Sequence, residues 1–334
     1  MDAEFVVRDK VADRRMVLSA SRPGLYVSIV LCAALAVLAY KLRTEGIFAC
    51  QATGYSSDRY LSYCHNEGYG DYEHGAFWFG LEPSVQKSVA SADVLFLGSS
   101  RMQLGLSTAA TADWFASSSA RYYLMGFGYN ENVAFAEELL GKFKPQARVY
   151  VVNIERFFDR SDTIPAKTVK RDPNALARYE VKRVWQYFHK AICQTLPAIC
   201  GDRYVIFRSR ETGAFTVAGT GQFKGAAVSY DQSLDQPAID AQAAIGREFL
   251  SRLPVPPECI VIMTVPYAKT KVRDVNALAN ALGRELVMPE VEGLETFDGS
   301  HLDRPSAERW SQAFFQAAGP QILRCLGNSK ALHP

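Results

Sequence analysis

The chain has 334 residues, enough for one large α/β domain with an insertion or for two small domains. A net charge of +2 leaves no electrostatic footprint for nucleic acid, so binding to DNA or RNA is not expected. A hydrophobic content of 48% is ordinary for a globular protein.

The first predicted element is the uncharged run Gly24 to Tyr40, GLYVSIVLCAALAVLAY. Its 17 residues reach the lower length limit of a membrane-spanning helix, and it lacks the polar stripe of a buried soluble helix. A cleaved signal peptide is the rival reading, with Ala34-Leu35-Ala36 as a processing site. Arg8, Lys10, Arg14, Arg15 and Arg22 precede the run, whereas only Lys41 and Arg43 follow it before Arg59. The positive-inside rule then keeps the N-terminus in the cytoplasm and exports everything after Tyr40. The predicted organisation is a cytoplasmic tail (1–23), an anchor (24–43), a Gly-, Tyr- and Ser-rich linker or lid (44–90), and an α/β domain (91–328) with an insertion at 199–234. The aromatics of 44–90 either stack on sugar rings or pack the segment onto the main domain.

Strand and helix signals alternate from Asp93 onward. Asp93–Leu97 reads as a buried parallel strand and Arg121–Met125 as a second. Asn130–Phe143 has helical periodicity, stopped by Lys144-Pro145. Arg148–Ile154 is a third strand, and Pro173–Leu196 a long helix with Tyr179, Trp185, Tyr187 and Phe188 on an aromatic face. Tyr204–Phe207 and Ala214–Ala218 flank a turn at Glu211-Thr212-Gly213, a hairpin pattern inside the insertion. Cys259–Val265 is the fourth strand, Val272–Leu286 a helix, and Pro305–Leu326 the final helix, with Pro305 in its first turn. Repeated β–α units predict a three-layer, doubly wound, mostly parallel sheet of flavodoxin-like type.

Seven cysteines test the export reading. Cys32 lies in the apolar run, which leaves Cys50, Cys64, Cys193, Cys200, Cys259 and Cys325. An even number suits an oxidising compartment. Sequence proximity pairs Cys50 with Cys64 and Cys193 with Cys200, leaving Cys259 with Cys325. The chain has no C-x-x-C motif or Cys/His cluster along the sequence, so no metal site is expected.

Two short blocks carry the chemistry. Val94 to Arg101 is an apolar run that stops at Gly98-Ser99-Ser100 and so sets a serine at the carboxyl end of a strand, where ligands of open α/β sheets bind. Phe297 to Leu302 places Asp298 three residues before His301, ahead of the last helix. Near-neutral imidazole suits His301 to take a serine proton and return it, with Asp298 orienting the ring. The bland alternative is that Gly-Ser-Ser only caps a helix. Asp303 fits an N-cap of the final helix better than a member of the triad.

These blocks resemble those of the SGNH/GDSL hydrolase superfamily, Gly-Asp-Ser after the first strand and Asp-x-x-His before the last helix. Asp298–His301 matches in full; at Gly98-Ser99-Ser100 the match is partial, because Ser99 stands where the family has Asp. The resemblance spans roughly 90–325 in element order and puts the nucleophile at Ser100, with Ser99 in support. It implies an oxyanion hole of the Ser100 N–H, a glycine N–H at Gly126 or Gly128, and an asparagine. The family's Gly-x-Asn-Asp block is missing, so the asparagine falls on Asn153 or Asn130. Arg101 either binds a carboxylated sugar or fixes the loop. Gly-Ser-Ser variants are similar to those of envelope-polysaccharide O-acylation proteins. The implied activity is cofactor-free ester hydrolysis or O-acetyl transfer on an envelope or secreted polysaccharide, with a membrane acyl-donor protein as a possible partner. The implied place is a bacterial inner membrane with the C-terminal domain in the periplasm. The competing class is a catalytically degenerate glycan-binding or assembly subunit of an export complex.

Overall fold

The structure is a computed structural model and describes residues 23–327. The basic residues Arg8 to Arg22 that set the predicted topology lie outside the described residues. Two units divide the chain at Lys41/Leu42.

The first unit is the body of α1 (Pro23–Thr44), which contains an 18-residue stretch of mean hydropathy 2.1 and is long and apolar enough to cross a membrane. It is apolar on every side, as expected of an anchor or a signal rather than a soluble helix.

The second unit begins with a 3-10 turn at Gly46–Ala49, then β1 (Arg59–Cys64), β2 (Gly70–Asp71), α2 (Glu73–Trp78) and α3 (Pro83–Ser91). Next come β3 (Val94–Ser99), α4 (Ser100–Leu106), α5 (Ala109–Ser118), β4 (Tyr122–Phe127), α6 (Val133–Phe143) and β5 (Val149–Asn153). An excursion follows: α7 (Ile164–Arg171), α8 (Ala175–Thr195), β6 (Val205–Ser209), β7 (Phe215–Ala218), β8 (Ala226–Ala227), β9 (Tyr230–Asp231) and α9 (Gln236–Ser251). The chain ends with β10 (Ile260–Met263), β11 (Thr270–Lys271), α10 (Val272–Ala281), β12 (Leu286–Val287), β13 (Glu295–Thr296) and α11 (Arg304–Cys325).

The main sheet is parallel, with strand order β12-β10-β5-β3-β4. Counted along the chain this is the 2-1-3-4-5 winding of flavodoxin-like sheets, whose switch point lies between β3 and β5. β3 is apolar along its length because both faces are covered. Leu95 and Leu97 join one core with α3, α6, α9 and α10, while Val94 and Phe96 join the other with α5 and α11. The three-layer α/β expectation therefore holds at the level of architecture.

Residues 44–90 are not a linker. β1 pairs with β6 of the predicted insertion, giving an antiparallel sheet β2-β1-β6-β7 in the same unit as the main sheet. Tyr60, Tyr72 and Phe77 are buried there, so packing outweighs the sugar-stacking reading for them. Helix α10 stops at Ala281 rather than Leu286. Gly283 takes a left-handed conformation (φ +67°), which ends the helix and frees Leu286 to pair with Ile262 as the edge strand. Helix α6 starts at Val133 because Tyr129 and Asn130 are both left-handed and Asn132 caps the Ala134 N–H. The aromatic face predicted on α8 splits: Tyr179 packs inward, whereas Trp185, Tyr187 and Phe188 are exposed.

All three expected cysteine pairs are disulfide-bonded: Cys50–Cys64, Cys193–Cys200 and Cys259–Cys325. Three such bonds fit an oxidising compartment. His189, Cys193 and Cys200 form a Cys/His cluster, which corrects the expectation of none: the three lie within twelve positions, with His189 and Cys193 one helical turn apart. Because the two sulfurs are bonded to each other, that cluster offers no thiolate ligands.

Candidate active site

Both chemical blocks meet at the carboxyl edge of the main sheet. β3 delivers Ser99 and Ser100 into α4, with Ser99 as N-cap accepting from the Arg101 N–H. The capping reading is thus correct for Ser99, and it leaves the Ser100 side chain free for other work. As the first residue of α4, Ser100 also has an N–H without an acceptor inside that helix.

The histidine loop is built by one carboxylate. Asp298 Oδ1 accepts the N–H groups of Ser300 (2.9 Å) and His301 (2.8 Å), a turn closed with Gly299 left-handed at φ +82°. Oδ2 accepts from His301 Nδ1 at 2.7 Å. An ionised carboxylate only accepts, so Nδ1 carries the proton and Nε2 is left as an acceptor. The Ser100 hydroxyl donates to that Nε2 at 2.9 Å. Burial pushes the Asp298 carboxyl up, but the His301 hydrogen bond and charge and the two backbone N–H groups outweigh it and hold the acid below its ordinary range. Asp298 is therefore anionic at neutral pH, as a ring orienter must be.

Neighbouring elements fix this loop. Thr296 Oγ1 donates to the Ala226 carbonyl at 2.7 Å, and β13 pairs with β8 just ahead of Asp298. Asp303 caps the Ser306 N–H at the start of α11, which confirms its structural assignment. Arg101 donates to Ser300 O (3.2 Å) and Ser300 Oγ (3.1 Å), pairs with Glu155, and lies 4.0 Å over the Tyr267 ring. Arg101 thus staples the serine helix to the histidine loop, and the fixing role takes precedence over a free sugar-binding one.

The expected oxyanion donors fare unequally. The Gly126 N–H donates to Gln103 Oε1 at 3.0 Å, so it is already engaged. Gly128 is likewise engaged, donating to Glu73 Oε1 at 3.1 Å. A glycine donor at either position is therefore not offered, because side chains reach in from α4 and α2. Asn153 differs. It ends β5 beside Gly98, fully buried, with Oδ1 accepting from the Val265 N–H at 3.2 Å. That bond fixes which end of the amide is nitrogen, and Nδ2 has no partner. Asn130 is exposed on a left-handed turn.

A cavity of about 600 Å³ runs from Leu104 near the end of α4 to Ala109 at the start of α5, walled by Tyr204, Phe215, Phe223 and Phe297. Phe297 stacks on the His301 ring with centroids 5.7 Å apart, so the cavity adjoins the base.

Sequence reasoning missed a buried charge network. His74 bonds Asp71 (2.8 Å) and Glu131 (3.2 Å), while Arg208 bonds Glu73 (3.0 Å) and the carbonyls of Gly126 and Leu124. The available signal was the spacing Asp71-Tyr72-Glu73-His74, the same Asp-x-x-His spacing as at Asp298. Asp71, Glu73 and His74 are also close enough to hold a cation, but their side chains are engaged with protein partners. Comparison with family models, curated proteins and solved structures returns no significant match for this chain.

Proposed function

We propose that the exported domain is a serine-dependent esterase or O-acyltransferase of SGNH type. The hydrogen-bond chain Ser100–His301–Asp298 carries this reading, because it connects residues 201 positions apart in the order that acyl transfer requires. Ser100 Oγ attacks the ester carbonyl as its proton passes to His301 Nε2. Negative charge on the carbonyl oxygen is met by the Ser100 N–H and Asn153 Nδ2. The C–O bond to the alcohol breaks, His301 returns the proton to that oxygen, and an acyl-Ser100 ester remains. Water or a sugar hydroxyl then attacks the acyl carbon as its proton passes to His301, the bond from that carbon to Ser100 Oγ breaks, and His301 returns the proton to Oγ. Water makes the protein an esterase and a glycan makes it an O-acyltransferase. An envelope or secreted polysaccharide is the substrate proposed for a domain held beside a bacterial inner membrane on its periplasmic side, with a membrane protein as the acyl donor.

One observation favours the second reading, a degenerate glycan-binding or assembly subunit: both glycine N–H groups at the sheet edge are already engaged. A fluorophosphonate probe separates the two on the full chain in membranes. Labelling of wild type that Ser100→Ala abolishes and Ser99→Ala retains supports the enzyme. A folded protein that never labels supports the subunit.

A further inference from the structure

We infer that the outward side of α8 lies on the surface of the lipid bilayer that holds the N-terminal apolar segment, an inference that rests on the membrane-anchored reading above. α8 buries Ala175, Tyr179, Gln186, His189 and Cys193 along one side. Its opposite side should be polar if water covered it. Instead Ala177, Val181, Val184, Phe188 and Ala191 follow one another there at helical spacing, all exposed. Val181 is 54% exposed, Val184 55% and Phe188 47%, with Trp185 and Tyr187 on the flanks at 48% and 74%.

The charges on this helix point to the occupant. Arg178, Lys182, Arg183 and Lys190 stand against Glu180 alone. Arg178 pairs with Asp172 and Lys182 donates inward to the Asp71 carbonyl, so Arg183 and Lys190 are the cations that border the stripe. An apolar stripe bordered by Trp, Tyr and cationic side chains is the composition of a helix lying in a membrane interface, with the cations facing anionic headgroups.

Connectivity brings a bilayer to this place. The domain begins at Leu42, which packs on its core. Arg43 donates to the Ala198 carbonyl at 3.1 Å, just past the end of α8, where the Cys193–Cys200 disulfide holds the turn. Phe48 meets Trp185 edge-on at 6.2 Å. Only Lys41 separates Leu42 from Tyr40, the end of the apolar run. Chain entry is therefore fixed at the C-terminal end of α8, and a bilayer holding the run ends within a few residues of it. The stripe from Ala177 to Ala191 then offers about 21 Å of helix length to the headgroup region.

The test uses the full chain in nanodiscs of phosphatidylglycerol and phosphatidylcholine, with and without bromine on the upper acyl chain. Of the four tryptophans, Trp185 is the exposed one; Trp78 and Trp114 are partly covered and Trp310 is buried. Brominated lipid should lower the emission of wild type, and Trp185→Phe should remove that loss. Val184→Asp with Phe188→Asp, both on the surface, should also weaken the quenching. Unquenched Trp185 overturns the inference, and two copies per disc with Trp185 unquenched would give the face to a second copy instead. Alkaline carbonate extraction distinguishes the two layers of the argument. A chain that washes off loses the anchor and this inference together. A chain that stays while Trp185 is unquenched loses this inference alone.

Discussion

Asp298–His301 and Asp71–His74 share the Asp-x-x-His spacing and nearly the same bond, 2.7 Å and 2.8 Å from carboxylate to Nδ1. They differ in what faces the other ring nitrogen. His301 Nε2 meets the Ser100 hydroxyl on a side chain 18% exposed; His74 Nε2 meets Glu131 on a side chain with no exposure. A ring with a carboxylate at each nitrogen must donate from both and is therefore a cation. Burial alone would depress the His74 pKa, but the charge and hydrogen bond of Asp71 and the Glu131 hydrogen bond push it up to about 10. The same spacing thus builds an acceptor at the sheet edge and a locked cation in the core. The motif aims a ring, and the third partner decides what the ring does.

The sharpest way to break this comparison is kinetic. Ser100→Ala and His301→Ala should each lower turnover of a small acetyl ester by about 10⁴–10⁶-fold, and the double variant should lose little more, because the residues act as a unit. Asp298→Ala should cost less than either, about 10⁴-fold. His74→Gln should leave turnover per folded molecule near wild type. A His74→Gln protein that is folded by circular dichroism yet inactive would erase the functional distinction between the two motifs.

What was legible in the sequence follows the range of the interactions. The apolar run of β3 and its stop at Gly98-Ser99-Ser100 are local, and so are the Asp298 turn and the Asp303 cap. Disulfide pairs Cys50–Cys64 and Cys193–Cys200 span 14 and 7 residues and could be read from proximity. Residues 44–90 read as a linker because their order comes from β6, whose Phe207 pairs with Leu61 far along the chain. Engagement of the Gly126 N–H was hidden for a similar reason, since Gln103 reaches it from the helix after the neighbouring strand. β12 was absorbed into a helix because a two-residue edge strand carries almost no pattern of its own.

The next largest effect is on stability. Removing one partner of a buried ion pair leaves the others charged and unpaired, at a cost of about 3–5 kcal/mol. His74→Ala should therefore lower the free energy of unfolding by about that amount, read from denaturant midpoints of the full chain in detergent. His301→Ala, whose side chain is partly open to water, should cost less. Adding Asp71→Asn and Glu131→Gln to His74→Ala should recover part of the loss, since the stranded carboxylates are then neutral. If His301→Ala destabilises as much as His74→Ala, burial does not separate the two sites.

The smallest effect is the pH dependence, and it has a definite sign. His74 has a folded pKa of about 10 against an ordinary value of 6.5. A cationic group with a raised folded pKa contributes stability that is fully present below about pH 6.5, and that contribution is lost as pH rises towards 10. Around it, Asp71 is held low, although burial opposes this, by the His74 charge and hydrogen bond, by Lys182 and by Tyr179. Glu73 is pushed up by burial against Arg208, and the Tyr179 hydroxyl is pushed up by burial and by Asp71. These groups do not supply a second fall between pH 6.5 and 10. Asp71 acts on the acid side, and the tyrosine shift lies above the window. Unfolding midpoints of wild type should therefore decline across pH 6.5–10, while those of His74→Gln stay flatter over the same range. Parallel curves for wild type and His74→Gln would mean that the buried ring is neutral, and the two Asp-x-x-His motifs would then no longer differ in charge.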